Sequence, residues 1–107
     1  MSNVLNLSTG ERQPVVDRSS VTGIMTVSNS VAVAIKAGAS ELVGRGILTI
    51  VNCSNIPVRL GGADITEDKG YLIYPNEKKI IYFDRSIATS YYGRSTGFNA
   101  ILEVMEE

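Results

Sequence analysis

The sequence of 107 residues contains ten basic and eleven acidic residues, which gives a formal net charge of −1, and 44% of its residues are hydrophobic. This length and composition fit one domain with a single core. The basic residues are scattered, whereas nucleic-acid-binding proteins usually carry a basic excess or stripe, so we expect no nucleic-acid partner. No apolar run reaches the roughly 18 residues that a membrane-spanning helix needs, so we expect no membrane partner.

Histidine is absent from the sequence. The commonest general base, every Ser-His or Cys-His nucleophile pair and the commonest transition-metal ligand are therefore missing. The short glycine runs at 44–46 and 61–62 have no predicted helix after them, so they do not form a phosphate-binding motif. The sequence predicts a protein that is not an enzyme and has no cofactor.

The single cysteine, Cys53, excludes an intramolecular disulfide and a cysteine-rich metal site. It follows an apolar stretch and has no basic neighbour in sequence, so we expect a half-buried structural thiol. The N-terminus lacks the basic segment followed by an apolar one that marks a secretory signal. We therefore expect synthesis and folding in a cytoplasm.

Residues 1–20 differ in character from the rest of the chain. The stretch "STGERQPVVDRSS" is rich in Ser, Thr, Gly and charge, and no periodicity is sustained in it. We interpret 1–20 as an N-terminal arm and 21–107 as the folded domain. The arm is either a frayed terminus or a segment that orders on a neighbouring subunit, and in the second case the anchoring side chains are Val4, Leu5, Leu7, Val15 and Val16.

From Thr22 onwards the pattern is that of β-strands. "TGIMTVS" and "NSVAVAIKAG" are predicted strands, and in the second the larger apolar residues alternate with alanine, a period of two. "GILTIVN" is apolar on both faces, which is typical of a central, sandwiched strand. "IPVRLGG" follows a turn, and because Pro57 cannot donate to a ladder, this strand is expected to lie at an edge or to begin there.

The C-terminal half continues in the same way. In "YLIYPNEKKIIYFD" we predict two paired strands joined by a turn that Pro75 opens, since proline presets the backbone of the first central turn position. "ATSYYGRS" is predicted as a strand broken at Gly93. "GFNAILEVMEE" is the last strand, with alternating Phe98, Ala100, Leu102 and Val104 on one face.

These elements indicate an all-β fold. Seven to eight short strands at regular spacing, joined by Gly, Pro and Asn turns, are typical of a single β-sandwich or jelly-roll-like domain. The light core, with seven aromatic residues and no Trp, suggests that stability depends partly on association with other copies. We therefore expect a homo-oligomer.

One acidic loop is a candidate metal site. Asp64, Thr66 and Asp68 are two residues apart, so their oxygens could share one side of the loop and hold a hard cation such as calcium. The glycine and distal glutamate of an EF-hand are missing, and the alternative is a loop that is simply solvated. A carboxylate pair for glycoside hydrolysis, drawn from Asp64, Asp68, Glu77 or Asp84, has no spacing in sequence to support it.

The five tyrosines fall in the C-terminal half. Adjacent or near-adjacent tyrosines on a strand face opposite ways, so some of them are exposed, and exposed aromatic rings form contact surfaces or stack on sugars. The alternative is that they cover sheet edges. The candidate contact residues are Tyr71, Tyr74, Tyr91, Tyr92 and Arg94.

The stretch "LTIVN", a turn ending at Asn55, then "PVRLGGADIT" and "YPNEKKIIYF", resembles a pattern found in small phage and prophage structural proteins. The resemblance covers residues 46–83, with a looser fit to Val104. It departs at Asn76, where the pattern has Gly, and at Arg59, where it is often aromatic. In that family Gly61 and Gly62 would end a strand, and no binding residue is carried over.

The resemblance implies a β-sandwich module of a virion: a head decoration, fibre or tail component that acts by self-association and by docking on other virion proteins. Such a protein is made in the host cytoplasm and then becomes part of the virion. The alternative is a receptor- or carbohydrate-binding module of the same fold, which recognises a bacterial cell-surface glycan or receptor.

Overall fold

The computed structural model describes residues 20–107, so the predicted arm with Val4, Leu5, Leu7, Val15 and Val16 lies outside the described residues. Residues 20–107 form eight β-strands and no helix. The all-β prediction with seven to eight strands is confirmed. The strands are β1 (Val21–Val27), β2 (Val33–Ala34), β3 (Ile47–Asn52), β4 (Val58–Gly61), β5 (Tyr71–Ile73), β6 (Lys78–Tyr82), β7 (Tyr92–Ser95) and β8 (Ala100–Glu106).

The strands form two four-stranded antiparallel sheets in a sandwich-like arrangement. The first sheet has the order β1-β8-β3-β6, and the second has the order β2-β7-β4-β5. Residues from both sheets form one buried core: Val27, Ile35, Leu48, Ile50, Val58, Leu60, Ile73, Ala100, Leu102 and Val104. Burying these side chains from both sheets in one cluster is what makes the pair of sheets a single folding unit.

Side chains alternate between the core and the outer surface along the strands, and this alternation directs the core residues inward. In β8 the buried residues Ala100, Leu102 and Val104 alternate with outward-facing ones, as predicted, although Phe98 precedes the strand and is exposed. β3 lies between β8 and β6, so its central position is confirmed, but it is not sandwiched, because Ile47, Thr49 and Val51 lie on the partly exposed outer side. β4 begins directly after Pro57 and ends at Gly61, and it lies inside its sheet rather than at an edge.

The predicted pairing across the Pro75 turn is wrong. Tyr74 and Glu77 do enclose a turn, with a hydrogen bond of 3.0 Å from the Glu77 N–H to the Tyr74 carbonyl and a positive φ of 69° at Asn76. The strands on either side, however, belong to different sheets: β5 pairs with β4, and β6 pairs with β3. The turn carries the chain across the core, because Ile73 and Ile81 face that core from opposite sheets.

Asn52 fixes the end of the sandwich where the chain crosses. Its buried amide donates to the carbonyls of Ile56 (2.8 Å) and Ile73 (3.3 Å), and its oxygen accepts from the N–H (3.0 Å) and hydroxyl (2.6 Å) of Ser54. Its backbone also bonds to Glu77 and Asn76. One side chain therefore ties the β3–β4 connection to the β5–β6 connection.

Two strand predictions need correction. The strand predicted around residues 29–38 is reduced to the two residues of β2. Gly93 does not break β7 but lies within it. A Cβ atom at this position would lie only 3.2 Å from the Cδ1 atom of Ile35. The glycine makes room for a core residue of the neighbouring segment, and the strand passes through it.

Candidate assembly surface

The outer side of the first sheet is the candidate functional surface. Each of its four strands points three side chains away from the core, and we call this set the apolar face. Its members are Thr22, Ile24 and Thr26 of β1; Ile101, Glu103 and Met105 of β8; Ile47, Thr49 and Val51 of β3; and Lys78, Ile80 and Tyr82 of β6.

This surface is apolar although much of it is exposed. Ile24 is 74% exposed, Tyr82 72%, Ile101 46% and Ile80 39%. The charged members are Glu103 and Lys78 alone. At ~4.8 Å between strands and ~3.3 Å per residue, the face covers roughly 400 Å². Apolar patches of this size on soluble proteins commonly mark interaction sites.

The middle of the apolar face is concave. A shallow depression of about 210 Å³ is lined by Thr22, Thr49, Val51, Glu103 and Met105. These residues come from β1, β3 and β8, so the depression lies over the centre of the sheet. An exposed apolar sheet surface is suited to packing against another apolar surface.

The outer side of the second sheet differs because the protein's own loops bond to it. Arg59 donates to the carbonyls of Glu67 (3.1 Å) and Gly70 (3.0 Å), and Arg94 donates to the carbonyl of Asn29 (2.9 Å). Arg59 and Arg94 are cross-strand neighbours, and Tyr92 lies next along the same face. Of the predicted contact residues, Tyr92 and Arg94 therefore share this surface.

The other predicted contact residues lie elsewhere. Tyr71 lies on the edge strand β5, where the ammonium of Lys79, on the edge strand β6 of the other sheet, is 4.3 Å from the Tyr71 ring centre. Tyr91 packs against the core, with its ring 6.5 Å from that of Phe83. Tyr74 is exposed at the Pro75 turn. The structure does not bring the five residues into one surface.

Tyr91 carries a pH-dependence of stability. Burial raises the pKa of its hydroxyl above the ordinary value, and nearby Tyr71 raises it further. Because the folded-state pKa is raised, stability is complete below the ordinary tyrosine pKa of about 10 and is lost as pH rises through the folded pKa. We expect Tyr91→Phe to flatten the fall in the free energy of unfolding above pH ~10, measured by urea denaturation. An unchanged slope in Tyr91→Phe would contradict this assignment.

The acidic loop shows its own polar contacts. The carboxylate of Asp64 lies 3.3 Å from the ammonium of Lys69, and the hydroxyl of Thr66 accepts the N–H of Asp68 at 3.1 Å. Asp64, Thr66 and Asp68 are all exposed. Among residues 20–107 no three His, Cys, Asp or Glu residues are grouped as metal ligands. Since both Lys69 and Arg59 bond to this loop, the positive charge near it comes from the protein itself.

A buried ion pair joins the segment before β3 to the end of β8. The guanidinium of Arg45 lies 2.7 Å from the carboxylate of Glu106, and it also donates to the carbonyls of Ile35 (2.9 Å) and Thr89 (3.1 Å). Glu106 accepts the N–H groups of Ala37 (3.0 Å) and Leu42 (3.1 Å). This network ties the irregular segments between β2 and β3 and between β6 and β7 to the end of β8.

Sequence reasoning missed the apolar face and the Arg45–Glu106 pair. The signal for the face was present, since "GILTIVN" is apolar on both sides and β-branched or apolar residues occupy the outward positions of β1, β6 and β8. The pair joins residues 61 positions apart, so no local pattern indicates it. The prediction for Cys53 is wrong, because the thiol is exposed just after β3, where the strand has ended.

Comparison with protein-family models and with curated proteins finds no match for this chain. Within residues 20–107 there is also no helix of the length and apolarity needed to cross a membrane. The surface described above is therefore the main basis for a functional proposal.

Proposed function

We propose that this protein is a non-enzymatic structural protein of a phage or prophage virion, a head decoration, fibre or tail component. It acts by self-association and by docking on other virion proteins, after synthesis in the host cytoplasm. The observation that carries the proposal is the apolar face, where Ile24, Ile101, Ile80 and Tyr82 are exposed together on one rigid sheet.

The distribution of polar groups supports assembly over chemistry. The apolar face contains two charged side chains, and the second sheet directs its arginines to backbone carbonyls of its own loops. On a repetitive particle, contacts of modest strength add through effective concentration, so a surface of this size suffices for stable incorporation. The resemblance of residues 46–83 to small virion proteins points the same way.

Particle incorporation tests the proposal. In the organism that encodes the protein, we expect a tagged chain to co-purify with virions through a density gradient at a fixed ratio to the other particle proteins. Ile80→Lys should reduce that ratio at least about tenfold, since a charge in an apolar contact costs more than 1.4 kcal/mol. Ile87→Lys is the matched control, because Ile87 is an exposed isoleucine outside the apolar face. Absence from purified virions would refute the proposal.

A second candidate function, recognition of a bacterial surface glycan, is favoured by a groove that adjoins the apolar face at Ile101. This groove is open, about 580 Å³ in volume, and combines the exposed ring of Phe98 with three asparagines: Asn55, Asn76 and Asn99. Aromatic rings stack on sugars and amides bond to their hydroxyls. Glycan-array binding that is lost in Phe98→Ala would support this function, and an array without signal would exclude it for the glycans tested.

A further inference from the structure

We infer that the apolar face packs against the same face of a second copy of this chain, about a two-fold axis that runs close to β3. This inference rests on the proposed assembly function and names the partner of its surface. It follows from the positions of Glu103 and Lys78, the two charged side chains that the four strands place on this face. Glu107, which follows β8, accepts a hydrogen bond from the Ser20 hydroxyl.

Register fixes where these charges lie. Glu103, Val51 and Lys78 form one row across β8, β3 and β6, and Met105, Thr49 and Ile80 form the next row. Within one copy, two strand spacings of ~4.8 Å separate Glu103 from Lys78. Neither makes an ion pair with another residue of the described chain.

A two-fold axis along β3 exchanges the β8 and β6 positions of facing copies. It therefore places Glu103 of one copy opposite Lys78 of the other, and the reciprocal pair forms on the far side of the axis. In the next row Met105 of each copy meets Ile80 of the other, so apolar side chains contact apolar side chains. Glu103 and Lys78 are therefore both paired, and this one pair forms twice, once on each side of the axis.

Other placements of the axis leave the charges unpaired. An axis between β8 and β3 would set Glu103 against Val51 and Lys78 against Ile24, and each charge would lose its water without a partner. The charge pattern therefore selects β3 as the strand nearest the axis. If the axis is inclined by roughly 15° to β3, the β3 strands of the two copies cross at twice that angle, ~30°, which is the angle between the strands of aligned packed sheets.

The size of the face sets the expected affinity. An axis along β3 overlaps β8, β3 and β6 of the two copies and leaves β1 beyond the partner's β6. Roughly 300 Å² of sheet area per copy is then covered, which is less than half the ~800 Å² per partner of a standard stable interface. We therefore expect a reversible dimer that dissociates in the micromolar range. On a particle, where copies are held at high effective concentration, the same contact would be occupied.

A charge-exchange series tests the geometry. The full chain, Glu103→Lys, Lys78→Glu and the double variant are compared by sedimentation equilibrium over a range of concentrations. Each single variant should weaken self-association at least about tenfold, since like charges then face each other twice. The double variant should return to within about threefold of the original, because the pairs are restored with their signs reversed.

The two single variants should also associate with each other. In a mixture, both lysines of the Glu103→Lys chain face both glutamates of the Lys78→Glu chain, so a heterodimer forms although each variant alone stays monomeric. Glu67→Lys, on the exposed acidic loop, changes the net charge by the same amount as Glu103→Lys but lies outside the face. It should leave dimerisation unchanged. Equal urea midpoints for all variants at low concentration establish that folding is intact.

The unique thiol provides a second measurement. Cys53 follows β3 and is exposed, so the proposed axis brings the two copies' thiols to about the ~10 Å that separates packed sheets. A bis-maleimide of that span should cross-link the original chain and not Glu103→Lys. A wild-type chain that is monomeric at every concentration, or a dimer indifferent to Glu103→Lys, overturns the inference.

The two proposals fail separately. If the chain is monomeric and Ile80→Lys still lowers particle incorporation, the face docks on another virion protein and the dimer is wrong. If the charge-exchange series succeeds and the chain is absent from virions, the dimer stands and the virion function is wrong.

Discussion

Replacing Glu106 with Gln is expected to lower the free energy of unfolding by about 3–5 kcal/mol. The carboxylate is fully buried and is the ion-pair partner of Arg45, whose own side chain is also buried. Removing the charge leaves the buried guanidinium with only the partly exposed carboxylate of Glu41, 3.7 Å away. The amide also turns one donor towards a site where the N–H groups of Ala37 and Leu42 and the guanidinium already donate.

Urea and thermal denaturation measure this effect, and a loss of 3 kcal/mol corresponds to a fall of about 12 °C or more in Tm for a domain of this size. Glu103→Gln is the matched control, because it makes the same chemical change three residues earlier on the same strand, at an outward, exposed position. We expect that variant to change stability by less than about 0.5 kcal/mol at concentrations where the chain is monomeric. A loss below 1 kcal/mol for Glu106→Gln would show that the pair is dispensable.

The double variant Arg45→Met, Glu106→Leu separates the charge from the hydrogen bonds. Burying two apolar side chains in place of a buried ion pair is often neutral or stabilising. Here the N–H groups of Ala37 and Leu42 and the carbonyls of Ile35 and Thr89 lose their partners, so we expect only partial recovery relative to Glu106→Gln. Full recovery would mean that these backbone groups find water or new partners.

Replacing Asn52 with Leu, a residue of similar size, is expected to cost about 2–4 kcal/mol. The amide group is fully buried and bonds to Ser54 and Ile56 of the β3–β4 connection and to Ile73 at the end of β5. Leucine fills the space and leaves those backbone groups unsatisfied. Chemical denaturation measures the loss.

Asn55→Leu is the control for this prediction, since Asn55 is exposed in the same connection. Asn52→Asp adds a sharper test, because the carboxylate keeps the acceptor for Ser54 and cannot donate to Ile56 and Ile73. We expect Asn52→Asp to be at least as destabilising as Asn52→Leu at neutral pH, where a buried charge is added to the loss of two donors. Equal stability of Asn52→Asp and the original chain would show that the donated bonds contribute nothing.

Glu103 and Glu106 show how position on one strand decides the role of a side chain. Both belong to β8, but alternation turns Glu106 into the core and Glu103 onto the apolar face. The inner carboxylate is satisfied within the chain by Arg45 and two backbone N–H groups. The outer one has no ion-pair partner in the described chain, and the proposed dimer supplies one.

The sequence by itself determined most of the strands, because side chains that alternate between core and surface leave a period of two in the sequence. The buried residues Ala100, Leu102 and Val104 and the turn that Pro75 opens were predictable for that reason. Only the tertiary structure decided which strands pair. Hairpin pairing was the natural expectation for β5 and β6, yet Ile73 and Ile81 must both face one core, so the chain crosses it instead.

The apolar face and the Arg45–Glu106 ion pair were likewise decided by the tertiary structure. Arg45 and Glu106 meet across 61 positions, and the rows of the apolar face join residues of four separate strands. Such contacts depend on strand order and register, which are fixed by the packing of all eight strands together. Local sequence supplies the apolar and charged side chains, and the folded sheets decide which of them share a surface.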